Sequence, residues 1–165
     1  MKLTRCMDGL ETAIRWTVVI LLLVMVGAIG SQVVARYVFN QALYWTEELG
    51  RHVMIWMVFL ASVLCLRRGY HLSITLLTQR LGPRVQAALQ IVATLAMGVF
   101  FALMVLKGWT LAQKTLVQRA SALHYPMGWV YASLPASGFL MFLVNLELLA
   151  KACAVLLRRD RAGRD

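Results

Sequence analysis

Residues 14–34 read IRWTVVILLLVMVGAIGSQVV. No charged side chain falls between Arg15 and Arg36, a run of twenty residues. At 1.5 Å per residue, a helix of that length spans about 30 Å, the hydrocarbon thickness of a bilayer. The block also has the outline of a secretory signal: Lys2, Arg5 and Arg15 form a basic start, and Ala28-Ile29-Gly30 is a passable cleavage site. Asp8 and Glu11 are unusual in such a start, and the apolar run is longer than a signal needs. The rest of the chain needs a membrane as well. The expectation is a retained transmembrane helix.

Outward from this block the pattern repeats. The 165 residues are 61% hydrophobic, where a soluble domain would be roughly half apolar. The excess sits in four blocks that, with their connections, use up the chain. The expected fold is an all-α integral membrane protein with four transmembrane helices plus a short interfacial amphipathic helix. The expected spans are 14–35, 43–66, 85–108 and 128–157 in a single membrane domain, 1–165.

Local signals set the boundaries. Arg36 to Gln41 closes the first block with interfacial aromatic and polar groups. In the second, Thr46 is the expected N-cap, with Glu47 and Glu48 in the first turn, where the helix dipole favours anions. Arg67-Arg68-Gly69 is the expected break. Residues 72–82 are too few to span, but Leu72, Leu76, Leu77 and Leu81 share one face, which suits an interfacial helix ending at Gly82-Pro83. Nothing stops the third helix at Lys107, so it continues toward or past the bilayer surface until a turn marked by Pro126. Trp129 and Tyr131 belong to an aromatic belt at the start of the fourth, and Pro135 and Gly138 predict a kink within it.

Charge follows the same layout. The net charge is +10, yet the basic residues collect at the ends of apolar blocks, so no nucleic-acid partner is expected. With both termini cytoplasmic, twelve of the seventeen Lys and Arg lie on the inner side; Arg36, Arg51, Lys107, Lys114 and Arg119 lie on the outer side. Cys6, Cys65 and Cys153 form no CxxC pair and are odd in number, which supports neither a disulfide framework nor a metal site. Cys65 and Cys153 read as small core residues. Of His52, His71 and His124, only His52 lies in a span, so paired haem ligation is not expected and no cofactor is assigned. Phosphate loops, nucleophile elbows and HExxH motifs are absent, so no catalytic residue is assigned.

The densest polar run is Trp45-Thr46-Glu47-Glu48-Leu49-Gly50-Arg51-His52. Glu47 and Arg51, and Glu48 and His52, are spaced for pairing along one helix. The alternative is that the cluster, with Arg36 as a further cation, faces a groove or a partner subunit. Glu147 and Lys151 form another such pair near the inner interface. Ser133, Ser137 and Gly138, and likewise Ala28, Gly30 and Ser31, are small-residue stripes suited to close helix packing. A carrier acid would sit near the bilayer midplane, and no acidic residue does.

Several of these stretches resemble one family. Arg36-Tyr37-Val38-Phe39-Asn40 and Leu43-Tyr44-Trp45-Thr46-Glu47-Glu48-Leu49-Gly50-Arg51 are similar to the signature of the small permease subunit (DctQ type) of TRAP transporters. Arg67 to Ile74 and Ser121-Ala122-Leu123-His124-Tyr125-Pro126-Met127-Gly128-Trp129-Val130-Tyr131 fit as well, and length and span count agree over nearly the whole chain. The resemblance implies a secondary transporter for organic acids in the bacterial inner membrane. Its partners would be a large permease subunit, which holds the sodium and substrate sites, and a periplasmic substrate-binding protein. On that reading Arg36, Trp45, Glu47, Glu48 and Arg51 are candidates for the subunit interface, and Lys107, Lys114 and Arg119 for periplasmic docking. A self-contained multidrug-type carrier, or a membrane anchor of a redox complex, are the alternatives. The first would need Glu47 or Glu48 as its carrier acid; the second would need His52 or His124 near haem or quinone.

Overall fold

A computed structural model describes residues 2–41, 43–78 and 83–162, with side chains over 7–41, 43–68, 89 and 91–150. The chain forms α1 (Lys2–Val38), α2 (Tyr44–Thr78), α3 (Pro83–Lys114), a 3-10 turn (Thr115–Val117), α4 (Gly128–Tyr131) and α5 (Ser133–Ala162). Four stretches are long and apolar enough to cross a membrane: Met7–Val38, Tyr44–Arg68, Ile91–Val117 and Gly128–Ala150. The protein is therefore an all-α, multi-pass membrane protein.

The order of packing explains why the four stretches differ in polarity. α1 lies on α2, α2 touches α5, and α5 packs along α3. Half of the α5 span is buried (50%) against 6% of the α1 span, so α5 is the central helix and α1 the outlying one. Ile14, Leu60, Val63, Phe101, Met141, Val144 and Leu148 form the shared core. A helix surrounded by protein tolerates hydroxyls that lipid would penalise. Ser133 and Ser137 are buried in α5, and their hydroxyls donate back to the carbonyls of Val130 and Ser133.

Small residues set the α3–α5 distance. A Cβ added at Gly138 would lie 3.1 Å from Met104, and one at Gly108 would lie 3.1 Å from the Pro135 ring. At Gly128 it would meet the Ala112 carbonyl at 2.6 Å, so only glycine lets α4 sit on α3 there. The expected stripe on the first helix is used less: Ala28 is buried, whereas Gly30 faces open space and Ser31 is exposed.

Several boundaries differ from the sequence expectation. α2 runs through Arg67-Arg68-Gly69 to Thr78 without a break. One glycine costs only about 1 kcal/mol inside a helix, and the two arginines before it are good helix formers. Residues 72–78 are thus helical as expected but continuous with α2; their side chains and residues 79–82 lie outside the described residues. α2 also starts two residues before Thr46. The Thr46 hydroxyl donates to the Leu43 carbonyl at 2.6 Å instead of capping amide groups. α3 does continue past Lys107, as far as Lys114. The fourth span is divided at Ala132, between α4 and α5, although Ala132 keeps right-handed helical backbone angles. Pro135 explains the position, because its ring clashes with the carbonyl four residues earlier, that of Tyr131, where α4 stops. Cys65 is exposed on α2 and does not fill the core, and Cys153 lies outside the residues with described side chains.

Candidate functional site

Two polar assemblies sit at opposite ends of the bundle. The first joins the start of α2 to the connection between α3 and α4. In that connection Met127 N–H donates to the Gln118 carbonyl at 2.8 Å and Ala120 N–H to the Tyr125 carbonyl at 2.9 Å. These bonds close a hairpin whose tip is residues 121–124. His124 N–H donates to the Ala120 carbonyl at 3.1 Å, and His124 takes a left-handed conformation with φ 56°, an option histidine tolerates better than most residues. The tip is one helical turn, and its leading N–H groups have no partner within the turn.

Glu48 supplies that partner. Its Oε1 accepts from Ser121 N–H at 2.8 Å, and its Oε2 accepts from Ala122 and Leu123 N–H at 2.7 and 2.9 Å. An anion facing the positive end of a helical turn is the favoured charge there, and charge-assisted bonds are the strong ones. One turn along α2, His52 faces Tyr125 with ring centroids 5.5 Å apart at 79°. The Tyr125 hydroxyl bonds His52 Nδ1. Burial, and then the Glu48 carboxylate, push the Tyr125 phenol above its ordinary value. Tyr125 therefore keeps its phenolic proton at neutral pH, and its hydroxyl and His52 Nδ1 share one hydrogen bond. Trp56 continues the seam by donating Nε1–H to the Trp129 carbonyl at 3.2 Å.

Beside this seam an open groove of about 460 Å³ is lined by Tyr44, Glu47, Arg51, His52, Met127 and Tyr131, among others. Glu47 and Arg51 make the expected pair at 3.9 Å, both largely exposed; such a pair is worth little by itself. Glu48 does not simply pair with His52 along the helix, because its carboxylate is committed to the hairpin. Arg36 is exposed at the end of α1, where Asn40 at φ 52° turns the chain toward α2. Among the described residues Arg36 makes no ion pair with Glu47, Glu48 or any other acid. Trp45 is 44% exposed. Lys107, Lys114 and Arg119 are all exposed but not gathered: two lie on α3, and Arg119 lies in the hairpin with Nη1 3.4 Å from the His124 carbonyl.

The second assembly was hidden in the sequence. Arg67 Nη1 donates to Glu11 at 2.6 Å and to the Met7 carbonyl at 2.8 Å, and Nη2 donates to Asp8 at 2.6 Å. Glu147 of α5 lies 3.7 Å from Arg67 Nε, and Arg68 holds Glu11 at 2.7 Å. One guanidinium thus ties α1, α2 and α5 at the end opposite Glu48. A forked, planar donor suits this many-sided role. The expected Glu147–Lys151 pair involves a side chain outside the described residues. Asp8 and Glu11, spaced to share one helix face and followed much later by adjacent arginines, were the available signal. Deeper in the bundle, buried Asn145 donates to the Thr94 carbonyl at 3.0 Å.

The contact between Glu48 and Ser121-Ala122-Leu123 joins two of the stretches that carried the family resemblance. Residues 12–154 match the family described as tripartite ATP-independent periplasmic transporters, DctQ component. A protein of Haemophilus influenzae named as a TRAP transporter small permease is 30% identical over 128 residues, 78% of this chain and 80% of that one. The sialic acid TRAP transporter small permease protein of Vibrio cholerae is 25% identical over 126 residues, 76% of this chain and 73% of that one. With the matched region enclosing all the described side chains that build the Glu48 seam, this chain belongs to the DctQ family, the small permease components of TRAP transporters.

Proposed function

We propose that this chain is the fixed membrane helper of an organic-acid uptake system: it enlarges the scaffold of a large permease subunit and helps receive a substrate-loaded periplasmic binding protein. The carrying observation is the placement of acids. Between Glu11 and Glu47, and again between Glu48 and Glu147, the chain has no Asp or Glu. Ion-coupled carriers hold their coupling site near the midplane, whereas here Glu47 and Glu48 lie at the start of one apolar span, and Glu11 and Glu147 lie near the ends of two others, in the charged layer around Arg67. The Vibrio relative's name links one family member to sialic acid, a carboxylate, which supports organic acids as the cargo class.

The orientation follows from charge. Both termini face the cytoplasm, by the excess of Lys and Arg on that side, and all 165 residues act as one membrane unit. The hairpin held by Glu48 then faces the periplasm, with Lys114 and Arg119 exposed around it. A rigid basic edge steers an acidic partner mainly by raising the encounter rate. Arg36, Trp45, Glu47 and Arg51 flank the same end and offer contacts to the large permease.

The test uses vesicles containing both membrane subunits and a fluorescently labelled binding protein. Changing Lys114→Glu and Arg119→Glu together should slow recruitment about tenfold at low salt and less at high salt. Recruitment that ignores both the charge reversal and the salt would contradict the docking role.

A further inference from the structure

One exposed face of α3 carries a lysine, Lys107, inside the apolar stretch Ile91–Val117. Gly108, the next residue, packs against Pro135, with 3.1 Å between that ring and a Cβ built on the glycine. Pro135 lies twelve residues along α5 from Glu147, about 18 Å at 1.5 Å per residue. Glu147 belongs to the charged layer around Arg67. The opposite polar layer is marked by Glu48, which lies nineteen residues from Arg67 on α2, about 28 Å away. The two layers are thus separated by about the thickness of the hydrocarbon core. Lys107 sits between them, about 18 Å from one and about 10 Å from the other.

The side chain is exposed and points away from the bundle. The buried face of α3 runs through Thr94, Phe101, Gly108, Ala112 and Thr115, and Lys107 lies off that face. Among the described residues it makes no ion pair. Helical side chains lean toward their own N-terminus, and the N-terminal half of α3 lies on the Glu147 side, where Asn145 meets Thr94. The Cα–Cβ bond of Lys107 is therefore tilted away from the nearer surface. Snorkelling toward that surface would have to run against this tilt. A lone cation at this depth is costly unless it meets protein or water.

Resting on the helper reading above, we infer that Lys107 is an intramembrane contact to the large permease subunit, which brings a carboxylate to the same depth. The stripe around it fits a protein neighbour. Phe100 and Leu103, 60% and 50% exposed, lie two turns and one turn toward the N-terminus, while Thr110 and Lys114 follow toward the other end. They share the exposed face at a three- and four-residue spacing, the pattern by which one helix meets another. A stripe offering only lipid contact would have no use for a lysine and a threonine in mid-course. This assignment removes Lys107 from the periplasmic docking set and leaves Lys114 and Arg119 there.

The test is co-purification of the large permease on affinity-tagged small subunit, with wild type, Lys107→Met and Lys107→Glu run together. Wild type should retain the large permease. Lys107→Glu should cut its recovery at least about tenfold, because like charges meet and both stay buried. Lys107→Met should cut recovery less, while leaving the yield of tagged small subunit unchanged or higher. If wild type retains no large permease, the helper reading itself fails. If wild type retains it and both variants retain it equally, Lys107 faces lipid and the inference is overturned. Lys107→Cys should cross-link to the large permease in native membranes; cross-linking only to a second copy of this chain would also overturn it.

Discussion

Replacing Glu48 with glutamine is expected to release the 118–127 hairpin from α2. The carboxylate divides its work: Oε1 serves Ser121, and Oε2 serves Ala122 and Leu123. Glutamine keeps one acceptor oxygen and turns an NH₂ group toward the remaining N–H, so a donor faces a donor. Aspartate is one methylene shorter and cannot reach the same amides without moving α2. The hairpin has few other ties to α2, chiefly the Tyr125–His52 bond. Amide hydrogen exchange at Ser121, Ala122 and Leu123 should rise at least about tenfold in Glu48→Gln. Recruitment of the binding protein should fall with it, while the four spans stay helical. Unchanged exchange at these three amides would mean that Glu48 is incidental to the hairpin.

The second large effect is at Arg67. Its guanidinium is mostly enclosed, 14% exposed, and serves two helices besides its own. Arg67→Met removes the shared cation and leaves Glu11 and the buried Glu147 facing each other across the gap. Removing one member of a buried charge cluster costs about 3 kcal/mol or more. The detergent-solubilised subunit should lose several degrees of thermal stability and shed α1 packing, with trypsin reaching the start of α1 sooner. Arg67→Lys keeps the charge but not the fork, so it should fall between wild type and Arg67→Met. Adding Glu147→Gln to Arg67→Met should recover part of the loss, since neighbouring charges couple. Equal stability of all four proteins would remove the clamp from the account.

The spans were legible because lipid imposes a length and a polarity that few sequences meet by chance. The Glu47–Arg51 pair was legible because its spacing lies within one helix. Glu48 was visible as a candidate, but its partners are backbone N–H groups more than seventy residues away, and backbone amides carry no sequence signature. Reading Thr46 as an N-cap failed because an isolated threonine before two acids looks the same whether it caps a helix or lies in its first turn. Arg67 was legible as part of an expected helix break, of a family-like stretch and of the inner cations; none of these readings shows that this one arginine is fastened on several sides. Pro135 signalled an irregularity in the fourth helix, and the place where α4 gives way to α5 follows from a carbonyl four residues upstream, which a span average does not register. Lys107 illustrates the reverse case. Read along the chain it ends an apolar run and looks interfacial, whereas the packing of its neighbour Gly108 on Pro135 is what supports the deeper placement inferred above.

The most direct measurement is uptake of labelled organic acids into sodium-energised vesicles, with the three components added singly and together. Vesicles holding this chain alone should stay empty, and those holding it with the large permease and a loaded binding protein should fill. Sodium-driven uptake by this chain by itself would contradict the account.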